Sequence, residues 1–212
     1  MKIKKFTFNP FQENTYVIYD ESNQCVIIDP GCYEKTEEEE LANFIAENDL
    51  KPVSLLNTHC HIDHILGNQF VAGKWDVELH MHKADLPLLE NAGEVSKMYG
   101  LEKYGGSPYP KHFLEDGTSF SFGKSELSVL FTPGHAPGHI CFYSNKHNFI
   151  ISGDVIFQMS IGRTDLPLGD YDTLITSITQ KLFPLPDSTQ IYCGHGPNTV
   201  LSFEKEHNPF LQ

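Results

Sequence analysis

The segment that most constrains this chain is a decapeptide with three histidines and one aspartate that directly follows an apolar strand. It spans residues 58–67, with the sequence THCHIDHILG, and its donor side chains are His59, His61, Asp63 and His64. Residues 53–57 are predicted to form a buried strand, and a helix is predicted from about Ile65. In α/β proteins ligands bind at the carboxyl ends of strands. The segment therefore predicts a functional site on a strand-to-helix loop.

These side chains have the character of metal ligands. Alternate residues of an extended loop share a side, so His59, His61 and Asp63 are expected to face one way. His64 turns the other way, which gives the stretch donors for two neighbouring metals. Imidazole and carboxylate groups suit zinc, iron or manganese. A helix start capped by Asp63, with solvated histidines nearby, is the plain structural alternative.

Cys60 lies inside this segment and needs separate treatment. By alternation its side chain points away from the metal side. The alternative is that it acts as a ligand or as a redox-sensitive thiol.

Three further predicted strands each end in a donor side chain next to glycine. They are strand 127–131 followed by His135, strand 149–152 followed by Asp154, and strand 190–193 followed by His195. Glycine beside each donor lets the backbone approach a ligand closely. Four strand ends that carry donors, in this order, predict that the donors complete one site.

Composition sets limits on the class of protein. With 212 residues and 40% hydrophobic content, the chain is long enough for a single domain, residues 1–212, with a substantial core. A net charge of −13 argues against a nucleic-acid partner, which would need clustered Lys and Arg. No apolar run is long enough to span a membrane and no basic-then-apolar leader is found, so a cytoplasmic protein with a small-molecule partner and no membrane partner is expected. Five cysteines without close pairing agree with a reducing compartment.

A coarse pass along the chain gives two strand-rich halves with helices. The predicted strands are residues 2–8, 15–19, 25–28, 53–57, 77–81, 119–122, 126–131, 140–143, 149–152 and 190–193. The predicted helices are residues 36–48, a segment from about 65, 83–91, 170–182 and a segment from about 200. Thr36 and Glu39 match a capping box for the helix 36–48. Residues 92–113 are predicted to be a loop excursion over the site.

The order of these motifs resembles the metallo-β-lactamase superfamily, over nearly the whole chain. The segments that carry the resemblance are residues 58–64 (THCHIDH), 132–139 (TPGHAPGH), 152–154 (SGD), 160–165 (SIGRTD), 193–196 (CGHG) and 204–211 (EKEHNPFL). They are similar to the short single-domain form of the glyoxalase II-like branch. The resemblance implies an α/β (α+β) fold, the four-layer αββα sandwich of the metallo-β-lactamase type.

The resemblance also implies a dinuclear metal site. One ion would be bound by His59, His61 and His135, the other by Asp63, His64 and His195, and Asp154 would bridge both. Two divalent ions, zinc first and iron or manganese as alternatives, would hold a bridging hydroxide and polarise a carbonyl group. Asp63 and Asp154 would be the catalytic residues, with Asp63 orienting the nucleophile. Asp29 resembles the supporting aspartate of the family, and a turn former before Pro30-Gly31 is its alternative role.

The activity that the resemblance implies is hydrolysis of an acyl-thioester, as in hydroxyacylglutathione hydrolases. Full-length members carry a basic C-terminal helical region that binds glutathione, and only one helix is expected after residue 196 here, which weakens the glutathione assignment. Arg163 is the candidate substrate-binding residue, and a salt bridge to Asp165 is its alternative role. The competing functions are another hydrolase of the same site, such as a lactonase, and a mononuclear iron oxygenase resembling persulfide dioxygenases.

Overall fold

The computed structural model describes residues 1–212, which group into two compact units. The first contains Met1–Phe113 and Ser121–Ser125, and the second contains Leu114–Phe120 and Glu126–Gln212. The expectation of a single domain over residues 1–212 stays a prediction.

A six-stranded sheet forms the centre of the first unit. Its strands, in spatial order, are β1 (Lys2–Phe8), β2 (Glu13–Tyr19), β3 (Gln24–Ile28), β4 (Lys51–Leu56), β5 (Leu79–Met81) and β6 (His112–Phe113). Strands β1 to β3 are antiparallel, whereas β3 to β6 are parallel. Because β3 and β4 run parallel, the residues that follow Ile28 and Leu56 emerge at the same edge of the sheet. This edge brings Asp29 beside the histidine-rich loop.

The helices of the first unit pack an apolar side onto this sheet. They are α1 (Lys35–Glu47), α2 (Ile62–Ile65), α3 (Asn68–Trp75), a short 3-10 helix (Lys83–Asp85) and α4 (Leu86–Met98). In α1, Leu41 and Ile45 are buried four residues apart and Phe44 packs against the same core. The predicted helix 36–48 is therefore confirmed within one residue at each end.

Three predictions in the first unit are wrong in detail. The capping box of α1 uses Glu34 and Glu37 instead of Thr36 and Glu39, because Glu37 accepts hydrogen bonds from the backbone N–H groups of Glu34, Tyr33 and Asn9. The helix expected from residue 65 is interrupted: α2 spans Ile62–Ile65 and α3 starts at Asn68. The excursion expected over residues 92–113 is helical up to Met98, because α4 continues past residue 91.

A second six-stranded sheet carries the later strands. They are β7 (Ser119–Phe122), β8 (Ser125–Phe131), β9 (Ile140–Ser144), β10 (Phe149–Gly153), β13 (Gln190–Cys193) and β14 (Thr199–Val200), in the order β14-β13-β10-β9-β8-β7, while β11 (Ile156–Phe157) and β12 (Ser160–Ile161) form a separate two-stranded ribbon. Strands β10 and β13 are parallel and pair Gly153 with Cys193 at their carboxyl ends. Gly194 then donates its N–H to the carbonyl of Gly153 at 2.8 Å, so the residues after both strands begin side by side.

Two helical segments cover the core of the second unit. They are α5 (Tyr171–Ser177), which continues as a π-helix (Ile178–Leu182), and α6 (Leu201–His207). Asp170 caps α5 by accepting a hydrogen bond from the N–H of Thr173. Leu174, Ile178 and Leu182 are fully buried against the sheet, which matches the helix predicted over 170–182. None of the helices in the chain is both long and apolar enough to cross a membrane.

The buried carboxylate of Asp20 holds the turn at residues 121–125 within the first unit. It accepts hydrogen bonds from the N–H of Ser22 at 2.8 Å, from the N–H of Lys124 at 2.7 Å and from the hydroxyl of Ser125 at 2.7 Å. Burial raises the pKa of Asp20, but these hydrogen bonds outweigh that effect and hold the pKa well below its ordinary value of 3.8. The ionised form is therefore the one that the fold stabilises.

We expect Asp20→Asn to lower the free energy of unfolding at neutral pH by about 2 kcal/mol, because bonds to a charged acceptor are replaced by weaker ones. A lowered folded-state pKa stabilises the protein above the unfolded-state pKa, so the difference between the two proteins should shrink as the pH falls below about 4. Urea unfolding followed by circular dichroism, at pH 7 and at pH 4 and below, measures both effects. An unchanged difference across this range would contradict the assignment.

Candidate metal centre

The histidine-rich loop forms a compact cluster of imidazoles in the first unit. It leaves β4 after Leu56, and helix α2 begins one residue after His61. The ring centroid of His59 lies 4.8 Å from that of His61 and 4.1 Å from that of His64. His59 and His64 are buried, whereas His61 and Asp63 are partly exposed. The structure thus brings the three histidines together, as the sequence predicts.

Asp29 anchors this loop from the end of β3. Its Oδ1 accepts the N–H of Thr58 at 2.7 Å, and its Oδ2 accepts the hydroxyl of Thr58 at 2.6 Å and faces Nδ1 of His64 at 3.2 Å. Asp29 has a φ of 49°, a left-handed conformation that is uncommon for a residue other than glycine. A strained backbone conformation of this kind persists where several surrounding contacts hold it in place. These contacts agree with the supporting role expected of Asp29.

The hydrogen bonds of Asp29 determine which ring nitrogens of the histidines hold a lone pair. Asp29 can only accept, so Nδ1 of His64 carries the hydrogen and Nε2 holds the lone pair. Thr58 gives its one hydroxyl hydrogen to Asp29, so it accepts a hydrogen bond from Nδ1 of His59 at 3.0 Å. Nε2 of His59 therefore also holds a lone pair. Both imidazoles have the tautomer that a metal ligand bound through Nε2 requires.

A second buried carboxylate, that of Asp85, holds the same loop at Cys60. Oδ2 of Asp85 accepts the N–H of Cys60 at 2.8 Å. The Sγ of Cys60 lies 3.6 Å from the Sδ of Met81 in the core, and burial raises the pKa of this thiol well above its ordinary value. This placement agrees with a side chain that points away from the metal side. Asp85 was not identified by sequence reasoning, because it lies 25 residues from its partner.

In the second unit, one oxygen of Asp154 lies between two histidines. Oδ2 of Asp154 is 3.5 Å from Nε2 of His135 and also 3.5 Å from Nε2 of His195. Nδ1 of His135 donates to the carbonyl of Arg163 at 2.7 Å, so Nε2 of His135 holds a lone pair that faces the carboxylate. The structure therefore places these three predicted ligands together.

His139 contacts this cluster, and sequence reasoning gave it no role. It is fully buried, its Nε2 accepts the N–H of Asp154 at 3.1 Å, and its Nδ1 lies 3.1 Å from the hydroxyl of Thr132. It thereby orients the backbone that carries the Asp154 carboxylate. The available signal was its position four residues after His135, in the motif at residues 132–139.

Gly162 makes room for this cluster. A Cβ atom at residue 162 would lie 1.9 Å from the carbonyl oxygen of Asp154 and 3.1 Å from Cγ of His135. Any other residue would have to displace the backbone of Asp154 and crowd the ring of His135.

The side chain of Arg163 pairs with Asp165. Its Nε and Nη2 each donate to one oxygen of Asp165 at 2.7 Å, and both side chains are exposed. The hydrogen bond from Arg163 lowers the pKa of Asp165 to about 2. The alternative role named for Arg163, a salt bridge to Asp165, is therefore present, and its carbonyl holds His135. A contact of Arg163 with substrate stays a proposal.

The donors in each unit fit divalent cations. In the second unit the lone pair of His135 faces a carboxylate oxygen, and in the first unit Nε2 of His64 lies 3.8 Å from Oδ2 of Asp63. A lone pair and a carboxylate repel each other unless a cation lies between them. Asp29 adds further negative charge beside His64. Burial raises the pKa of Glu13, which also faces His64, well above its ordinary value, so a nearby cation would be needed to favour its charged form. Nitrogen and carboxylate donors suit zinc, iron or manganese.

A family model described as the metallo-beta-lactamase superfamily matches residues 8–195. The chain belongs to the metallo-beta-lactamase superfamily. Two relatives are each 38% identical to this member over its whole length and over 98% of their own: a probable metallo-hydrolase, YqgX, of Bacillus subtilis, and the hydroxyacylglutathione hydrolase GloC of Haemophilus influenzae. The family resemblance read from the sequence is therefore confirmed, and the chain is a metallo-hydrolase of this superfamily.

Solved structures support the same assignment. The BLEG-1 B3 metallo-beta-lactamase is 36% identical to this chain, with a TM-score of 0.91 and full coverage of both chains. TTHA1623 in a di-iron-bound form is also 36% identical, with a TM-score of 0.88 over 98% of this chain and 100% of that one. The predicted fold class, the αββα sandwich of the metallo-β-lactamase type, is confirmed.

We expect Asp29→Asn to weaken metal binding by about 10- to 100-fold, the usual cost of losing a hydrogen-bond partner behind a ligand. One oxygen of an asparagine cannot replace the two that serve Thr58 and His64. Metal content after dialysis against a chelator of known affinity measures the change. Asp187→Asn is the control, because Asp187 is an exposed aspartate paired with Lys205 and should leave metal content unchanged. Equal metal retention in the two variants would contradict the role of Asp29.

Proposed function

We propose that this metallo-hydrolase is a dinuclear, metal-dependent thioester hydrolase of the glyoxalase II type. The observation that carries the proposal is Oδ2 of Asp154, which lies 3.5 Å from one nitrogen of His135 and 3.5 Å from one of His195. A carboxylate oxygen at the same distance from two imidazole nitrogens is the arrangement expected of a bridging ligand between two ions. The relative named hydroxyacylglutathione hydrolase supports the choice of reaction.

The proposed ligand set is the one that the superfamily resemblance implies. His59, His61 and His135 would bind one ion, Asp63, His64 and His195 would bind the other, and Asp154 would bridge them. The tautomers derived for His59, His64 and His135 support this set. Zinc is the proposed metal, and the di-iron form of TTHA1623 supports iron as an alternative that the same donors accept.

Two bound divalent ions supply a hydroxide nucleophile at neutral pH and polarise the carbonyl group of the substrate. The proposed part of Asp63 is to orient this nucleophile, since its carboxylate is partly exposed beside His64. Asp154 offsets the charge of both ions. His139 keeps Asp154 in place through its backbone N–H. The reaction requires no serine or cysteine nucleophile, and the buried thiol of Cys60 is not in a position to act as one.

Arg163 is the proposed contact for an anionic part of the substrate. Its guanidinium group is exposed and held by a carboxylate, so a substrate carboxylate can replace Asp165 with little change in geometry. Arg163 is the single arginine among the 15 Lys and Arg residues of the chain. A small acyl-thioester in the cytoplasm is the proposed substrate.

We expect Asp154→Ala to abolish hydrolysis and to lower the occupancy of both metal positions, because each ion loses a ligand and the repulsion between the ions loses its screen. Elemental analysis of the purified variant, together with a thioester assay, measures both effects. His147→Ala is the control, since His147 is an exposed histidine in the turn before β10. A comparable loss of activity in the control would mean that the ligand set is misassigned.

The substrate class is tested by a panel of four compounds: S-lactoylglutathione, a simple acyl-thioester, a lactone, and glutathione persulfide with oxygen. We expect hydrolysis of S-lactoylglutathione with a high KM, because binding would rest on the acyl-thioester and on Arg163. Arg163→Ala should raise KM further and leave both metals bound.

Two outcomes of the panel would contradict the thioesterase. Turnover of the lactone without thiol release from either thioester would favour the lactonase. Oxygen consumption with the persulfide, together with a single equivalent of iron per chain, would favour the mononuclear oxygenase.

A further inference from the structure

Glu13 is a fully buried glutamate whose carboxylate is only half satisfied. Its Oε2 accepts the hydroxyl of Thr15 at 2.9 Å, whereas its Oε1 has no hydrogen-bond partner. A buried carboxylate oxygen without a partner is costly and rare in folded proteins. The fold therefore keeps Glu13 in this place against a free-energy penalty, which points to a role outside core packing.

Local backbone features direct this carboxylate into the site. Glu13 begins β2 directly after a tight turn in which Asn9 and Gln12 both have positive φ angles, 54° and 56°. Gly31 leaves space for it, since a Cβ atom at residue 31 would lie 2.0 Å from Oε2 of Glu13. Asn9 closes the same space by donating to the carbonyls of Gly31 and Asp63 at 3.0 Å. The turn and the glycine together position a carboxylate that the β1–β2 pairing alone does not require.

The unpartnered oxygen faces His64. Oε1 of Glu13 lies 3.8 Å from Nδ1 of His64, the same nitrogen that Oδ2 of Asp29 approaches at 3.2 Å. Two carboxylates therefore lie behind one imidazole, on the side opposite to the lone pair of Nε2. In the equivalent position at His59, the hydroxyl of Thr58 lies 3.0 Å from Nδ1.

We propose that Glu13 is a positioning residue for one of the two metal ions, acting through His64. This inference rests on the proposed function, in which His64 binds one ion and His59 the other. With Asp29, Glu13 keeps the hydrogen on Nδ1 of His64 and increases the electron density that Nε2 presents to the ion. Because both carboxylates lie behind His64, binding of the ion that His64 holds should depend on Glu13. Binding of the ion that His59 holds should not.

The test compares metal binding by four proteins: the wild type, Glu13→Gln, His64→Ala and the double variant Glu13→Gln/His64→Ala. Metal-free protein is titrated with Co²⁺ and Zn²⁺ against a competing chelator, and the two binding constants, the stoichiometry and the Co²⁺ absorption spectrum are recorded. Thermal unfolding of each metal-free protein reports folding separately from metal binding. Glu204→Gln is the matched control, because Glu204 is another fully buried glutamate, and its hydrogen bonds are to Thr199, Met159 and Asn208, none of which is a proposed ligand.

We expect Glu13→Gln to weaken one binding constant by about 10-fold or more and the other by less than about twofold. The Co²⁺ spectrum should lose the bands of the ion that His64→Ala also loses. In the His64→Ala background, Glu13→Gln should have no further effect, because the residue through which Glu13 acts is absent. The control variant should bind both ions like the wild type.

Distinct results would overturn the inference. Unchanged constants in Glu13→Gln, equal weakening of both, or a full further loss in the double variant would each show that Glu13 does not act through His64. If Glu13→Gln does not fold, Glu13→Asp replaces it in the test, because the shorter side chain withdraws the carboxylate from His64. Glu13→Asp should weaken the binding constant of the ion that His64 holds by about threefold. An unchanged constant would overturn the inference. A wild type that binds only one ion refutes the dinuclear function itself, whereas failure in the variants alone leaves that function intact.

Discussion

The carboxylate of Asp29 is the interaction on which the histidine-rich loop depends. It binds the backbone and the hydroxyl of Thr58, and it faces His64, so one side chain sets the path of the loop and the hydrogen positions on two imidazoles. Its left-handed backbone lies beside Thr15 on the neighbouring strand, whose hydroxyl oxygen is 2.9 Å from the carbonyl oxygen of Asp29 and accepts the N–H of Gly31. The parallel pairing of β3 with β4 brings the two strand ends together in the first place. The pairing of β3 with β4 thus places Asp29 where it determines the tautomers of His59 and His64.

Negative charge dominates the surroundings of these imidazoles. Glu13, Asp29 and Asp63 lie near His64, and Asp154 lies near His135 and His195. In a buried environment such groups interact strongly, and their repulsion is relieved by a cation or by protonation. These surroundings therefore favour the binding of cations, and His59, His64 and His135 already have the tautomers that ligands bound through Nε2 require.

Sequence reasoning predicted the parts of this protein that local patterns determine. The bounds of β1 and β13 were predicted to the residue, because alternation or a short apolar run defines each strand. The donors at the strand ends were predicted for the same reason. The end of α4 was missed, since the helix continues through Gly93, a residue that is typical of a helix end. The capping box was misplaced because Glu37 is engaged by Asn9, 28 residues away, and no local pattern records that contact.

The residues that support the donors were harder to predict. Glu13, Asp85 and His139 act on partners that become neighbours only in the folded sheets, so neither spacing nor composition marks them. From the sequence alone, a glutamate at the start of a strand, such as Glu13, is expected to be exposed. Only its missing hydrogen-bond partner in the fold distinguishes it.

The candidate donors of the two units are spaced very differently along the chain. The first unit supplies four within six residues, which cost little chain entropy to assemble once β4 has formed. The second supplies His135, Asp154 and His195 from three separate loops, and the last two are adjacent only while β10 and β13 remain paired at Gly153 and Cys193. Under the proposed ligand set, opening of that strand pair would separate Asp154 from His195 and release a bound ion, so metal retention depends on local unfolding in the second sheet.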